Sequence, residues 1–249
     1  MKIRINKFLA DLGLASRRKA DKLIDEGAVL INQRKAKLGD KIDPEKDELT
    51  FAGKKFAAQQ KESLEYWLLN KPFKVISAVT DDSGRKTTYD YIKTKTKARV
   101  YPVGRLDYES EGLLLMTNDG ELAHRLTHPK YEIKKVYKVW ANGIFSQTKM
   151  ARLLSGVRLS EGRTSFDELE LIEKEGRDLV LKVAIHEGKK REIRRVCAKV
   201  GWEVTKLLRV KLGSLVMTNL TVGNARKLTE EEIIGLKKLV GLYDENSNL

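Results

Sequence analysis

Apolar residues recur along this chain at two periods, and the change from one to the other divides it. Ile5, Phe8, Leu9 and Leu12 fall at i, i+3, i+4 and i+7, one face of a helix over 3–12. Gly13 interrupts that pattern. Ser16 is then a suitable N-cap for a second helix, with Ala20, Leu23 and Ile24 on its inner face and Gly27 at its end. Ala28 to Ile31 reads as a strand, Asn32-Gln33-Arg34 as a turn, and Asp47 to Phe51 as another short strand. From Gly53 to Glu62 the chain is polar, rich in Lys and Gln and without period, so 53–62 is expected to be a linker. The domain before it, 1–52, is near the lower size limit for independent folding.

Over 63–249 strand-like runs take over. Strands are expected at 65–70, 74–79, 99–103, 112–117, 132–141, 165–173, 178–186 and 202–210, and helices at 119–127, 146–154, 190–200 and 229–239. The strands cluster instead of alternating with helices. That favours an α+β domain, a mixed and largely antiparallel sheet with flanking helices, over a doubly wound one.

Charge changes the picture more than hydropathy does. The 249 residues carry 49 Lys+Arg against 35 Asp+Glu, a formal net charge of +14, and 41% hydrophobic residues suffice for real cores. A polyanionic partner is the simplest reading, and RNA, DNA and an anionic membrane all qualify. Apolar runs such as Gly112-Leu113-Leu114-Leu115-Met116 fall far short of the roughly 20 residues of a spanning helix. Met1 to Asn6 is basic, but no apolar stretch follows it as in a signal peptide. Cys197 has no internal partner, and with His124, His128 and His186 it forms no cluster at metal spacing. No Walker or dinucleotide-binding glycine motif is present. The chain is expected to be cytoplasmic, free of metal and cofactor, and to act as a monomer away from membranes.

In the second helix Arg17, Arg18, Lys19 and Lys22 lie largely off the apolar stripe, next to a helix N-terminus whose free N–H groups favour phosphate. Such a surface holds a sugar-phosphate backbone without reading bases. A solvated basic helix is the plain alternative. The stretch ASRRKADKLIDEGAVLIN, residues 15–32, resembles the small RNA-binding domain named after ribosomal protein S-four, with Glu26, Gly27, Val29 and Asn32 at that family's positions. The resemblance implies that Ser16, Arg17, Arg18 and the following strand face structured RNA.

The stretch GRLDYESEGLLLMTNDG, residues 104–120, places Arg105 and Asp107 between two apolar strands with Gly104 and Gly112 at its ends. Loops that project a carboxylate from a rigid sheet are good sites for chemistry. A turn cap, or a local salt bridge with Arg105, is the ordinary alternative. The same stretch resembles the signature of ribosomal RNA pseudouridine synthases that carry an N-terminal S-four-type domain. The resemblance spans essentially the whole chain, including the domain order. It implies that Asp107 is the essential aspartate. In KKVY, residues 134–137, it implies that Tyr137 lies against the target base; core packing of a strand aromatic fits that residue equally well.

In EGKKREIRRVC, residues 187–197, the resemblance implies that Arg194 pairs with Asp107. Helical spacing would group Lys190 with Arg194 and Arg191 with Arg195 at i, i+4. The family pattern has Gln where this chain has Glu192. Leu208 matches the family's apolar residue under the base, with Leu207 next to it. The resemblance further implies ribosomal RNA or an assembly intermediate as partner, the large subunit more than the small. Two other readings remain open. One is a ribosome-binding protein with a dead second domain, although Asp107, Tyr137 and Arg194 are all present. The other is a glycosylase, which would release free uracil where an isomerase leaves the RNA mass unchanged.

Overall fold

The computed structural model describes residues 2–56 and 63–243. Contacts divide the chain into two units, 1–65 with 118–120 and 66–117 with 121–249.

In the first unit β1 (Ile3–Arg4) leads into α1 (Ile5–Asp11), and α2 (Arg17–Asp25) follows. The apolar face expected over 3–12 is buried, but its helix begins only at Ile5, because Ile3 and Arg4 pair with β4 (Lys41–Ile42). Strand β2 (Val29–Ile31) pairs with β3 (Arg34–Lys35) through a turn in which Asn32 and Gln33 both have positive φ, and on its other edge with β5 (Leu49–Phe51). The expected linker is corrected at its start. Lys54–Phe56 forms β6, paired with β5 across a second positive-φ turn at Ala52-Gly53. Positive φ at both turn residues matches the twist of a tight hairpin. The strand was hidden because two of its three residues are lysines. Residues 57–62 of the expected linker lie outside the described residues.

The second unit is built on one sheet. Its strands are β7 (Tyr66–Lys71), β8 (Tyr101–Pro102), β9 (Glu111–Thr117), β10 (Lys135–Asn142), β13 (Glu168–Glu175), β14 (Asp178–Ile185), β15 (Glu203–Leu212), β16 (Leu215–Val216) and β17 (Ala225–Lys227), with the β11 (Val157–Leu159) and β12 (Gly162–Thr164) hairpin apart. The main order is β13-β14-β10-β15-β9-β7-β17, antiparallel except where β15 runs parallel to β9. The mixed, largely antiparallel α+β architecture is as expected. Helices α3 (Gly120–Thr127) and α6 (Glu230–Leu239) cover Leu68, Leu113 and Leu115. Helices α4 (Gln147–Ser155) and α5 (Glu192–Ala198) cover Val139, Leu181 and Leu207. Strand β9 is apolar without alternation because it is buried on both faces: Leu113 and Leu115 join one core, Met116 another.

The strand expected over 74–79 does not form. Lys74, two residues after Pro72, is left-handed at φ 56°, and only one isolated bridge, Ile76 to Thr87, follows. The helix expected from 190 starts at Glu192, because Arg191 is left-handed at φ 51°.

Candidate active site

One row of paired residues crosses the sheet: Lys71, Gly112, Arg209, Tyr137, Val183, Leu169. The row passes through the parallel seam, where a Cβ on Gly112 would come within 2.3 Å of the Arg209 carbonyl oxygen, so only glycine fits. Asp107 lies in the loop that enters β9 just before this seam.

That loop is fastened by its backbone. Five consecutive carbonyl oxygens accept hydrogen bonds: Leu106 from Ser77 Oγ (2.8 Å), Asp107 from Ser110 N–H (3.0 Å), Tyr108 from Lys74 N–H (2.8 Å), Glu109 from Arg194 Nη2 (3.0 Å) and Ser110 from Lys71 Nζ (2.7 Å). The Leu106 N–H in turn donates to Ser77 Oγ at 3.0 Å. The Asp107 carboxylate, by contrast, has no hydrogen bond or ion pair among the described residues, the Arg105 pair included. The backbone of the loop is thus held at every carbonyl from 106 to 110 while the Asp107 carboxylate is left without a hydrogen bond.

The carboxylate opens on a cleft of about 280 Å³ lined by Arg105, Asp107, Tyr137, Lys190, Arg191 and Leu207, among others. Tyr137 is 6% exposed, both core and wall. Of the sequence-based candidates, Arg105, Lys190 and Arg191 are thus brought to Asp107 and Tyr137. Leu208 is not; Leu207 takes its place, since successive strand residues point to opposite faces.

Arg194 makes no ion pair with Asp107 within 4.0 Å. Its Nη1 donates to the Val204 carbonyl at 2.6 Å and its Nη2 to that of Glu109, so it ties β15 to the Asp107 loop. Arg195 points away and clamps Glu161 with both Nη atoms at 2.6 Å. The expected i, i+4 pairing of Lys190 with Arg194 fails, because the left-handed Arg191 precedes the helix. Glu192, in the position where the family pattern has Gln, is buried and accepts the Lys189 N–H at 2.9 Å. Burial raises its pKa, and that hydrogen bond opposes the rise.

Sequence reasoning missed three cations, Lys71, Lys135 and Arg209. Lys71 is 0% exposed, and burial lowers its pKa to about 8, with Arg209 acting in the same direction and Glu111 and Asp107 against it. Lys135 fastens the loop after β14 through the His186 (2.6 Å) and Glu187 (3.0 Å) carbonyls, and burial lowers its pKa too. Burial also lowers that of Arg194, helped by Arg191, while Glu109 and Asp107 oppose it. Arg209 is 3% exposed and donates through Nε to the Leu113 carbonyl at 2.7 Å. The one legible sign was placement: Lys71 ends an apolar strand, and Arg209 stands two residues from the core Leu207. Cys197 is buried and its thiol pushed up to about 12, which removes it as a nucleophile. Among the described residues no group of His, Cys, Asp and Glu could hold a metal ion, and no helix is long and apolar enough to cross a membrane.

In the first unit, Ser16 caps α2 by accepting the Lys19 N–H at 3.1 Å. Arg17, Arg18, Lys19 and Lys22 are all exposed on that helix. They form the basic surface that the sequence suggested.

Two family models match. Residues 65–199 match RNA pseudouridylate synthase, and residues 3–49 match the S4 domain. The chain belongs to the RNA pseudouridylate synthase family. It is 42% identical over 248 residues to the ribosomal large subunit pseudouridine synthase B of Bacillus subtilis, covering 98% of each chain. It is 41% identical over 244 residues to an RNA pseudouridine synthase of Aquifex aeolicus, covering 97% of this chain and 96% of that one. Among solved structures it resembles a pseudouridylate synthase at TM-score 0.67 and 29% identity, covering 94% of this chain and 99% of the other. As a synthase of this family the protein is an isomerase acting on RNA through the second unit, joined to an RNA-binding domain.

Proposed function

We propose that this synthase isomerises a uridine of large-subunit ribosomal RNA with Asp107 as its catalytic carboxylate and no cofactor. The observation that carries the reading is the unpaired Asp107 carboxylate on a loop whose carbonyls 106–110 are all fastened, in a cleft walled by Tyr137. The full-length likeness to the large-subunit enzyme of Bacillus subtilis supports the choice of RNA.

The reaction breaks the bond between uracil N1 and the ribose, turns the base and rejoins it through C5. The C5 proton leaves and N1 gains one, so no redox partner or group donor enters. The target must first leave its stack, at a cost of a few kcal/mol. Cations around the cleft offset this through phosphate contacts. Asp107 supplies the carboxylate that attacks or stabilises the sugar or the base, and Tyr137 takes the C5 proton. Arg194 acts through the loop: it holds the Glu109 carbonyl and adds positive charge near the carboxylate. The same reading has the protein act in the cytoplasm, as a monomer, on ribosomal RNA or an assembly intermediate.

Asp107→Asn tests it. Asn keeps the shape and removes the charge, so the variant is expected to fold, bind RNA and form no detectable pseudouridine under single-turnover conditions. If Asp107 only supported the loop, melting temperature would fall and the rate per folded molecule would survive. Substantial turnover by folded Asp107→Asn overturns the assignment. Carbodiimide mapping of ribosomal RNA from cells with and without the gene identifies the uridine.

A further inference from the structure

Away from the cleft, the β11–β12 hairpin carries a charge arrangement that the reaction as described does not use. Arg158 and Arg163 are direct partners in its ladder and both are exposed, while Val157, Leu159 and Thr164 are buried. Like charges directly opposed destabilise a strand pair, and an anion between them reverses the sign. Arg152, in the last turn of α4, lines the same cavity of about 520 Å³, whose remaining wall is Gly156, Val157 and Gly162. No carboxylate lines it. The chain has no Asp or Glu between Glu132 and Glu161, and Glu161 is clamped by Arg195 through both Nη atoms at 2.6 Å. Arg163 is held in place by the Ser155 carbonyl, to which its Nε and Nη2 donate at 3.2 and 2.7 Å. Gly156 makes room for it, since a Cβ there would stand 3.0 Å from Arg163 Nε. The side chains of Arg152 and Arg158 have no hydrogen bond or ion pair among the described residues. A solvated charge run scatters its cations over a surface. Here one fixed and two free guanidinium groups converge on one cavity.

We propose that this cavity holds a phosphate of the RNA backbone, outside the nucleotides that enter the cleft. The inference rests on the reading that ribosomal RNA is the substrate and that its target uridine lies at Asp107. Guanidinium groups suit this occupant, because their planar forks match phosphate oxygens two at a time. The substrate itself brings a phosphate at every residue, so no second partner is needed. The cavity is reached from the cleft without a break. Glu192 lines both the Asp107 cleft and a small cavity of about 180 Å³, and Arg163 lines both that small cavity and the arginine cavity. Lys189 of the cleft also ties the hairpin down, through Nζ to Thr164 Oγ1 at 3.0 Å. An RNA whose uridine sits in the cleft thus has a path of adjoining cavities to the hairpin. The consequence is a substrate requirement: at low enzyme concentration, conversion needs RNA whose backbone continues past the target along this path. Such a contact positions the RNA and reads no base.

The test compares the full-length native enzyme with a double variant, Arg152→Ala with Arg158→Ala. The RNA is a large-subunit ribosomal fragment on which the native enzyme forms pseudouridine. The double variant should bind it about tenfold more weakly, with a salt slope flatter by roughly 0.7–0.9 log units per lost phosphate contact. Its single-turnover rate at saturating enzyme should equal the native one. Its melting temperature without RNA should not fall, because losing Arg158 relieves the repulsion with Arg163. Ethylation of single RNA phosphates gives the position. At least one phosphate away from the target should weaken native binding when ethylated and leave binding by the variant unchanged. A role in folding alone would lower the melting temperature and spare RNA binding. The proposal is overturned by that result, by unchanged affinity and salt slope in the folded variant, or by identical ethylation patterns in the two enzymes. Lost binding of poly-glutamate with RNA binding intact would give the cavity to an acidic protein and overturn it too. RNA binding is read whether or not Asp107 is catalytic. Conversion by the native enzyme and by Asp107→Asn is scored separately, so failure of the catalytic assignment shows apart from failure of this one.

Discussion

The two units use the same residue types in opposite ways. On α2 of the first unit Arg17, Arg18, Lys19 and Lys22 are exposed and leave their donors to solvent. Around the Asp107 loop Lys71 and Arg209 are buried, Arg194 and Lys135 partly so, and all four donate to backbone carbonyls of the protein itself. The first set is a surface for phosphate, worth affinity that salt can screen. The second set is framework: its charge is directed into the loops that build the cleft. A net charge of +14 therefore overstates the RNA-binding surface, since part of it is structural.

The sharpest way to break this comparison is at Arg194. Arg194→Leu leaves the Val204 and Glu109 carbonyls without their charged donor, and the rate is expected to fall by about a hundredfold or more. Arg194→Lys cannot fork to both carbonyls and should recover only part of that, because a compact ammonium lacks the planar pair of donors. Full activity in Arg194→Leu would remove Arg194 from the framework.

Lys71 comes next and gives a pH signature. Its folded pKa, about 8, lies below the ordinary 10.5, so between those values the unfolded chain holds the extra proton. Stability from this group therefore rises as pH climbs from about 8 toward 10.5. Activity should move the other way, falling through pH 8 as the positive charge beside Asp107 is lost. Rate and melting temperature of the native enzyme measured from pH 7 to 10, beside those of Lys71→Arg, check both signs. The alkaline fall should be absent in Lys71→Arg, which stays charged. A native profile flat to pH 9 would leave Lys71 a hydrogen-bond donor only.

Changing Arg17 and Arg18 together to Ala should weaken RNA binding by about tenfold and flatten its salt dependence by roughly 0.7–0.9 log units per lost phosphate contact. The single-turnover rate at saturating enzyme should survive. A collapsed rate with unchanged binding would reverse the division of labour. The smallest effect is expected at Glu109, whose carboxylate pairs with Arg191 where both side chains are more than 40% exposed. Glu109→Gln should alter the rate by no more than about twofold, since exposed pairs contribute little. Because Glu109 serves the loop through its carbonyl, its side chain is dispensable.

Much of this was legible from spacing. The 3.6-residue period of Ile5, Phe8, Leu9 and Leu12 and the apolar run at 112–117 both appear where expected. Asp107 stood out because glycines and strands framed it. What was not legible depends on backbone conformation or on distant partners. The left-handed Arg191 shortened α5 and undid the i, i+4 reasoning. Lys54 and Lys55 disguised a strand. Ser77, Lys71 and Arg209 act on carbonyls that lie 29, 39 and 96 residues away, and no local pattern records that.

The parallel seam between β9 and β15 also bears on how the enzyme comes into being. Its partners, Gly112 and Arg209, are far apart in sequence. Closing so long a span costs entropy before any contact rewards it, and non-local pairing of this kind is slow to form. The Arg194 anchor of the Asp107 loop, which also holds Val204 of β15, belongs to that closure. An incompletely folded chain can present exposed arginines to RNA but has no cleft. During synthesis, RNA affinity in the first unit precedes activity, which emerges only after β15 has been made.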